Sequence, residues 1–219
     1  MLALLTSATL TAQSFTDGYG LDPQFSIGFR GGYNAGVGFE AFGTVSNFAV
    51  GFPLALRLGI SRTDVEPGRA WDARRIFIND ATNGDPEKKG NTLAVKLDFL
   101  LPVNTSVPNT LAYAGIRHSR FTGNFNFVGG NEDFDITSGQ WGLGVGLESS
   151  FAMSRNVDFV INGGMDHFFS ATLSGHDTSY SPDGEDVNGR NDYTFADADA
   201  AVAQPKWEPV VMLGIAYRF

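Results

Sequence analysis

An alternation of apolar and polar residues with a period of two runs along most of the chain. From Phe25 to Ala41 every odd position is apolar or glycine, whereas from Phe48 to Ile60 the even positions are apolar. Successive side chains of a strand point to opposite faces, so both segments are predicted strands with one apolar face. The change of phase predicts a turn at 43–47. Pro53 lies on the polar face of the second strand and predicts a bulge there.

Five further segments show the same alternation: 93–103, 110–127, 141–151, 157–169 and 207–219. The 110–127 segment is the least regular, because Leu111, Tyr113 and Phe121 share one apparent apolar face and Arg117 falls between them. These segments make seven strands if 25–41 is a single strand. A hairpin at Gly31–Asn34 with an odd-length loop would give eight and keep the phase. Residues before Gln24 are the alternative source of an eighth strand.

The connections alternate in length, and the two longest, at 62–90 and 174–206, are polar. Trp141 and Phe151 bracket one apolar face at a separation of ten residues, as Trp207 and Tyr217 do another. Ten tilted strand residues rise roughly 25 Å, the height of the apolar band of a membrane barrel. The sequence therefore predicts an all-β fold, an eight-stranded antiparallel up-and-down transmembrane β-barrel with aromatic membrane-interface residues at Trp141, Phe151, Trp207, Tyr217 and Phe219.

This pattern, the loop asymmetry and the terminal Phe219 resemble the small bacterial outer-membrane proteins with an eight-stranded OmpA/OmpX-type barrel. The resemblance covers 25–219 and rests on no diagnostic motif. It implies a location in the bacterial outer membrane, in contact with its lipid and lipopolysaccharide, with the long loops facing outward. The alternating C-terminal strand resembles the signal that the barrel-assembly machinery recognises. Members of this group have diverse roles, so the fold alone implies no function.

Composition changes this picture little. Residues 1–12 resemble the end of a secretory signal peptide without its basic start, and 13–24 form an N-terminal extension before the barrel at 25–219. The alternative is an N-terminal strand or tail, because apolar residues also alternate there.

A net charge of −9 argues against a nucleic-acid partner, and the absence of cysteine excludes disulfides and thiolate chemistry.

Charged residues of both signs fall on the faces predicted to line the barrel lumen. They are Arg30, Glu40, Arg57, Lys96, Asp98, Glu148, Asp158, Asp166, Glu208 and Arg218. Eight strands leave a lumen just wide enough for side chains to fill. Because buried charges require partners, opposite signs favour a plug of ion pairs. A narrow polar conduit is the alternative.

Lipid-hydrolysing outer-membrane barrels resemble one another in a His-x-Ser pair on one strand, which places both side chains on the same side. Here His118 precedes Ser119 directly, His167 lies three residues before Ser170, and His176 is followed by Thr178. None of these matches the motif, and no catalytic residue is predicted.

The loop before the last strand is rich in carboxylates, the ligands that calcium prefers. Asp183, Glu185, Asp186 and Asp192 are weak calcium candidates, since the loop lacks EF-hand spacing and a solvated acidic loop is the favoured interpretation. We expect no cofactor. The sequence favours a structural or surface-interaction role, with a possible protein partner at the outer loops; a narrow channel comes second and a lipid-modifying enzyme third.

Overall fold

Ten strands and two helices follow one another in a computed structural model of the protein, which describes residues 22–78 and 83–219. The predicted signal peptide, 1–12, and most of the 13–24 extension lie outside the described residues. The strands are β1 (Gln24–Asn34), β2 (Val37–Ser46), β3 (Ala55–Val65), β4 (Asp85–Pro102), β5 (Thr110–Val128), β6 (Asp133–Ala152), β7 (Val157–Phe168), β8 (Leu173–Ser174), β9 (Ser179–Tyr180) and β10 (Trp207–Arg218). The helices are α1 (Ala70–Phe77) and α2 (Phe195–Ala201).

Eight of these strands close into an antiparallel barrel. Each of β1 to β6 pairs with the next, β7 pairs with β10, and β10 returns to β1 with Ser26 opposite Arg218. Closure satisfies the backbone groups of both edge strands, which hydrocarbon requires. The two-residue strands β8 and β9 extend the wall beside β6. The predicted eight-stranded barrel is confirmed.

The first hairpin explains why the odd positions stay apolar from Phe25 to Ala41. Tyr33 pairs with Val37, so the loop between them has three residues, an odd number, and the phase is kept. Ala35 takes the left-handed conformation at the tip, with φ of 55°. The hairpin that the sequence favoured is therefore present, but its turn lies at 34–36 rather than at Gly31–Asn34.

The connection between β2 and β3 differs from the prediction. β2 continues to Ser46, β3 begins only at Ala55, and Pro53 lies in the loop between them, not in a bulged strand. Two residues of this loop, Asn47 and Gly51, have positive φ values of 53° and 72°. These conformations are typical of turns. The apolar alternation over 48–54 therefore lies in a loop, and the strand predicted there was wrong.

The apparent apolar face of strand β5 points into the barrel and not towards lipid. Tyr113, Arg117 and Phe121 are all buried inside the barrel, whereas Ile116 on the alternate face is 47% exposed. The arginine therefore does not interrupt a lipid-facing stripe. It belongs to an inward face on which polar and aromatic residues are mixed.

Strands β4, β5 and β6 have 18, 19 and 20 residues, about twice what the membrane requires. A tilted strand of that length rises roughly 50 Å, against an apolar band of about 25 Å. The predicted loop at 62–90 is accordingly shorter, since β3 extends to Val65 and β4 starts at Asp85. The gap between the predicted strands 110–127 and 141–151 is likewise shorter, because β5 and β6 are joined by a turn at 129–132.

A lipid-facing belt surrounds the lower part of the barrel. Its outward side chains are apolar and about half exposed, such as Ile27, Leu143 and Leu213. Above the belt the outward residues of β5 and β6 become polar, for example Asn124 and Asp135. Within the described chain, neither helix is long and apolar enough to cross a membrane.

Candidate functional site: a charged lumen beneath an outer cap

Two arginines and two glutamates form the first half of a charge network in the lumen. Arg30 donates to Glu40 at 2.5 Å and to Glu148 at 2.7 Å, and Arg57 donates to both oxygens of Glu148 at 2.7 and 2.5 Å. The Phe42 ring lies against both guanidinium groups, 4.5 Å from that of Arg57 and 5.2 Å from that of Arg30. Glu148 therefore neutralises two cations from different strands.

The second half of the network joins Lys96 and Arg117 to two aspartates. Arg117 donates to Asp98 at 2.6 Å and to Asp166 at 3.0 Å, and Lys96 donates to the other oxygen of Asp166 at 3.0 Å. Lys96 also lies 3.4 Å from Glu40, which connects the two halves. The paired side chains are at most 3% exposed. A conduit lined by solvated charges does not have this geometry.

Lumen glycines make room for these large side chains. A methyl group at Gly144 would overlap Asp166 Oδ1 and the Arg117 guanidinium. A methyl group at Gly146 or Gly164 would overlap the Tyr113 hydroxyl in the same way. The inward glycines of β6 and β7 thus serve packing, because the bulky groups opposite occupy the space where their side chains would lie.

Seven of the ten sequence-predicted lumen residues meet in this network. Asp158 and Arg218 pair separately at the periplasmic end, at 2.8 Å, where the arginine side chain is 49% exposed. Glu208 is buried opposite Asp166 and makes no direct ion pair with any residue in 22–78 or 83–219. Sequence reasoning missed Arg117 as a lumen residue, although the lone charge on an apparently apolar face was the available signal.

Above the charges, the barrel mouth is closed by an apolar core. We use "outer cap" for segments 66–78 and 169–206, which contain α1, α2, β8 and β9. The core combines inward residues of β5 and β6 with residues of the cap. Its members are Ala70, Ala73, Ile76, Phe77, Phe121, Phe125, Phe127, Phe134, Ile136, Leu173, Tyr180, Ala198, Ala201 and Val202. The predicted loop at 174–206 is therefore a folded structure, with its carboxylates on the outside.

Tyr180 ties the two segments of the outer cap together. Its hydroxyl donates to the Ile76 carbonyl at 3.1 Å and accepts from the Arg190 backbone N–H at 3.1 Å. Its ring meets Phe77 edge-on at 5.3 Å between centroids. Burial raises the pKa of this phenol, which therefore stays neutral and able to donate.

Gln140 anchors both ends of the long cap segment to the barrel. Its buried amide donates to the Pro205 carbonyl at 2.8 Å and to the Phe169 carbonyl at 3.2 Å. These two carbonyls lie at the beginning and end of the 169–206 segment. One side chain therefore binds both ends of that segment to the barrel wall.

The weak calcium candidates do not converge. Asp183 accepts from the Glu185 backbone N–H at 3.2 Å, and Asp186 accepts from that of Ser181 at 2.8 Å. Among the residues that the structure describes, no group of three or more His, Cys, Asp or Glu side chains is placed to hold a metal ion. These two carboxylates order the loop through turn hydrogen bonds.

The histidines lie at the outer edge of the lipid-facing belt or in the cap. His118 contacts Trp141 at 4.7 Å between ring centroids, and His167 stacks on Trp207 at 4.1 Å. His176 is exposed and pairs with Asp177 at 2.8 Å. Across the described parts of the chain, no hydrogen bond joins a histidine to a serine, so no Ser–His pair is assembled there.

The predicted interface aromatics are all exposed to the lipid side, and they sit at two levels. Trp141 and Trp207 lie at the outer ends of their membrane-spanning segments and are 60% and 66% exposed. Phe151, Tyr217 and Phe219 lie at the opposite, periplasmic ends. The two groups mark the boundaries of the apolar belt.

Comparison with solved structures supports the fold. The chain is similar to a major outer membrane protein from Thermus thermophilus, with 24% identity, a TM-score of 0.71 and coverage of 90% of this chain and 99% of that one. A weaker similarity is to the Yersinia pestis attachment invasion locus protein Ail, with 14% identity, a TM-score of 0.46 and coverage of 90% of this chain and 97% of that one. Another is to Acinetobacter baumannii CarO2, with 15% identity, a TM-score of 0.42 and coverage of 92% of this chain and 100% of that one. No protein-family model and no curated protein matches the sequence.

Closure through β1 and β10, the apolar belt between two levels of aromatics and the charged lumen are the features of a barrel that spans an outer membrane. The chain has the fold of the eight-stranded bacterial outer-membrane β-barrel proteins.

Proposed function

We propose that this protein is a non-conducting, non-catalytic outer-membrane barrel that acts through its outer cap as a surface-interaction module. The observation that carries the proposal is the double closure of the lumen: a buried charge network below and an apolar core above. A lumen filled at both levels by described side chains leaves the outer surface as the part available for recognition.

The long segment of the outer cap has a definite chemical character. Between 169 and 206 there are seven acidic and two basic side chains. Those at Asp183, Glu185 and Asp192 are exposed, while α2 and Tyr180 hold the backbone beneath them in place. An ordered acidic surface suits a protein partner with a basic patch, because complementary charge speeds association and disfavours wrong partners.

Single-channel recording in planar bilayers tests the first part of the proposal. We expect no discrete openings from the intact protein, because the paired charges leave no solvated path. Regular openings of fixed conductance would overturn the proposal in favour of the narrow channel.

Site-specific photocrosslinking in intact cells tests the second part. Benzoylphenylalanine in place of the exposed Asp192 is expected to give a protein adduct, and the same probe in place of the lipid-facing Leu213 serves as the matched control. The absence of any adduct from Asp192, or an identical adduct from both positions, would contradict a role for the cap in binding.

A further inference from the structure

A groove of about 640 Å³ opens on the outer wall of the barrel where the cap joins it. It forms because β7 leaves β6 after Phe168, while β8 resumes pairing with β6 only at Thr137 and Ser174. Residues 170–172 do not pair with β6 and line one side of the groove. Gly139 lies in the floor, and a methyl group there would meet nothing within 4 Å. The open floor gives the groove space for a ligand.

The groove lies at the level of lipid headgroups. Its lower edge is His118, which packs on the lipid-exposed Trp141 at the top of the apolar belt. The outward residues one step higher, Arg120 and Gly139, no longer belong to that belt. Tryptophan marks the boundary between hydrocarbon and headgroups in membrane proteins. A ligand in the groove could therefore keep its acyl chains beside Trp141 and Leu143.

The walls of the groove carry both donors and acceptors. The Arg120 side chain is exposed and makes no hydrogen bond or ion pair within 22–78 and 83–219, so its guanidinium is available to an anion. Thr137 contributes a hydroxyl, the Thr172 hydroxyl is hydrogen-bonded to that of Ser181 at 2.9 Å, and Asp183 lies on the wall formed by the cap. Hydrogen bonds from the Ser181 hydroxyl and the Glu185 N–H lower the pKa of Asp183, which keeps it an acceptor.

This set of groups matches a ligand that is both phosphorylated and rich in hydroxyls. Arginine suits phosphate because it can donate two parallel hydrogen bonds. Threonine and aspartate suit sugar hydroxyls, which donate as well as accept. A phosphatidylcholine headgroup, which carries no hydrogen-bond donor, would leave the aspartate wall without a donor.

We propose that this groove binds the phosphorylated sugar headgroup of an outer-leaflet glycolipid. The site stands apart from the proposed cap–partner interaction, because its floor and lower edge belong to the barrel wall.

Native mass spectrometry of the purified full-length protein in detergent, with added lipid A as the probe, tests the site. We expect saturable binding of lipid A that falls roughly tenfold in Arg120→Ala, the loss expected for one charge-assisted interaction. Gly139→Trp should abolish binding by filling the groove. Arg62→Ala is the matched control, because Arg62 is also exposed and lies two strands away in the same pairing row. Migration of unboiled samples on a denaturing gel verifies that each variant is folded.

Three results would overturn the assignment. The first is equal binding of lipid A to the native protein and to folded Gly139→Trp. The second is an equal loss of affinity in Arg62→Ala and Arg120→Ala, which would indicate non-specific charge. The third is equal competition by glucosamine 1-phosphate and lipid A, which would make the ligand a free sugar phosphate and not a lipid.

Discussion

Replacing Glu148 by alanine should destabilise the barrel more than any other single change in the lumen. The carboxylate accepts three charge-assisted hydrogen bonds, one from Arg30 and two from Arg57. Arg30 would keep Glu40, whereas Arg57 would keep only the Thr44 hydroxyl and the Phe42 ring. The loss is therefore one uncompensated buried cation, which costs about 3–5 kcal/mol.

A second replacement separates the cost of an unpaired charge from the value of the pair. In Arg57→Met/Glu148→Leu both charges are gone, and the free energy of unfolding should return to within about 2 kcal/mol of the native protein. Asp158→Ala is the control, because its partner Arg218 is half exposed and such pairs contribute about 1 kcal/mol or less.

Urea unfolding in lipid vesicles, followed by tryptophan fluorescence, measures these differences. Trp141 and Trp207 lie at the membrane boundary and report loss of the barrel. The reasoning is refuted if Glu148→Ala costs less than about 1 kcal/mol, or if the double variant is no more stable than Glu148→Ala.

Three further changes probe other parts of the molecule. Tyr180→Phe removes two buried hydrogen bonds from the outer cap, about 1–3 kcal/mol, and should speed proteolysis of the cap while the barrel stays protected; unchanged cleavage would contradict its role. Gly144→Ala should cost about 1–3 kcal/mol in urea unfolding by crowding the lumen charges, whereas Gly139→Ala, which faces open space, should be neutral. Hydrogen bonds from Thr194 lower the pKa of Asp197 below the ordinary value of 3.8. The contribution of Asp197 to cap stability is therefore present above pH 3.8 and is lost as the pH falls through the lowered pKa. In Thr194→Ala, an NMR titration should show the Asp197 midpoint returning towards 3.8.

The strands of the membrane-spanning belt were predictable because one face of each contacts hydrocarbon. That constraint produces a regular alternation on β1 and β10. From this alternation the barrel, its orientation and the positions of its interface aromatics could be predicted. The alternation fails at β5, where the aromatic residues Tyr113 and Phe121 face inward and are buried. Alternation therefore misassigns the faces of a strand whose inward side chains are aromatic and whose outward ones are mostly small or polar.

The outer cap could not be predicted in the same way. Residues 174–206 read as a polar loop because the apolar residues that anchor it, such as Leu173, Tyr180 and Val202, are few and widely spaced. Their partners are inward phenylalanines of β5 and β6, which lie far away in sequence. The lumen charges were visible as inward positions, but which cation meets which carboxylate depends on strand tilt and packing.

The charge network also constrains the order in which the barrel can form. Arg30 on β1 and Arg57 on β3 find Glu148 only across separations of 118 and 91 residues, and β1 must wait for the last strand to close the ring. Contacts so distant in sequence form slowly. A partial sheet of β1 to β5 in hydrocarbon would carry Arg57 without its carboxylate partner and an open edge, both costly there. Insertion into the membrane and closure of the barrel are therefore coupled. A chain truncated before β6 is not expected to form a stable membrane-inserted intermediate.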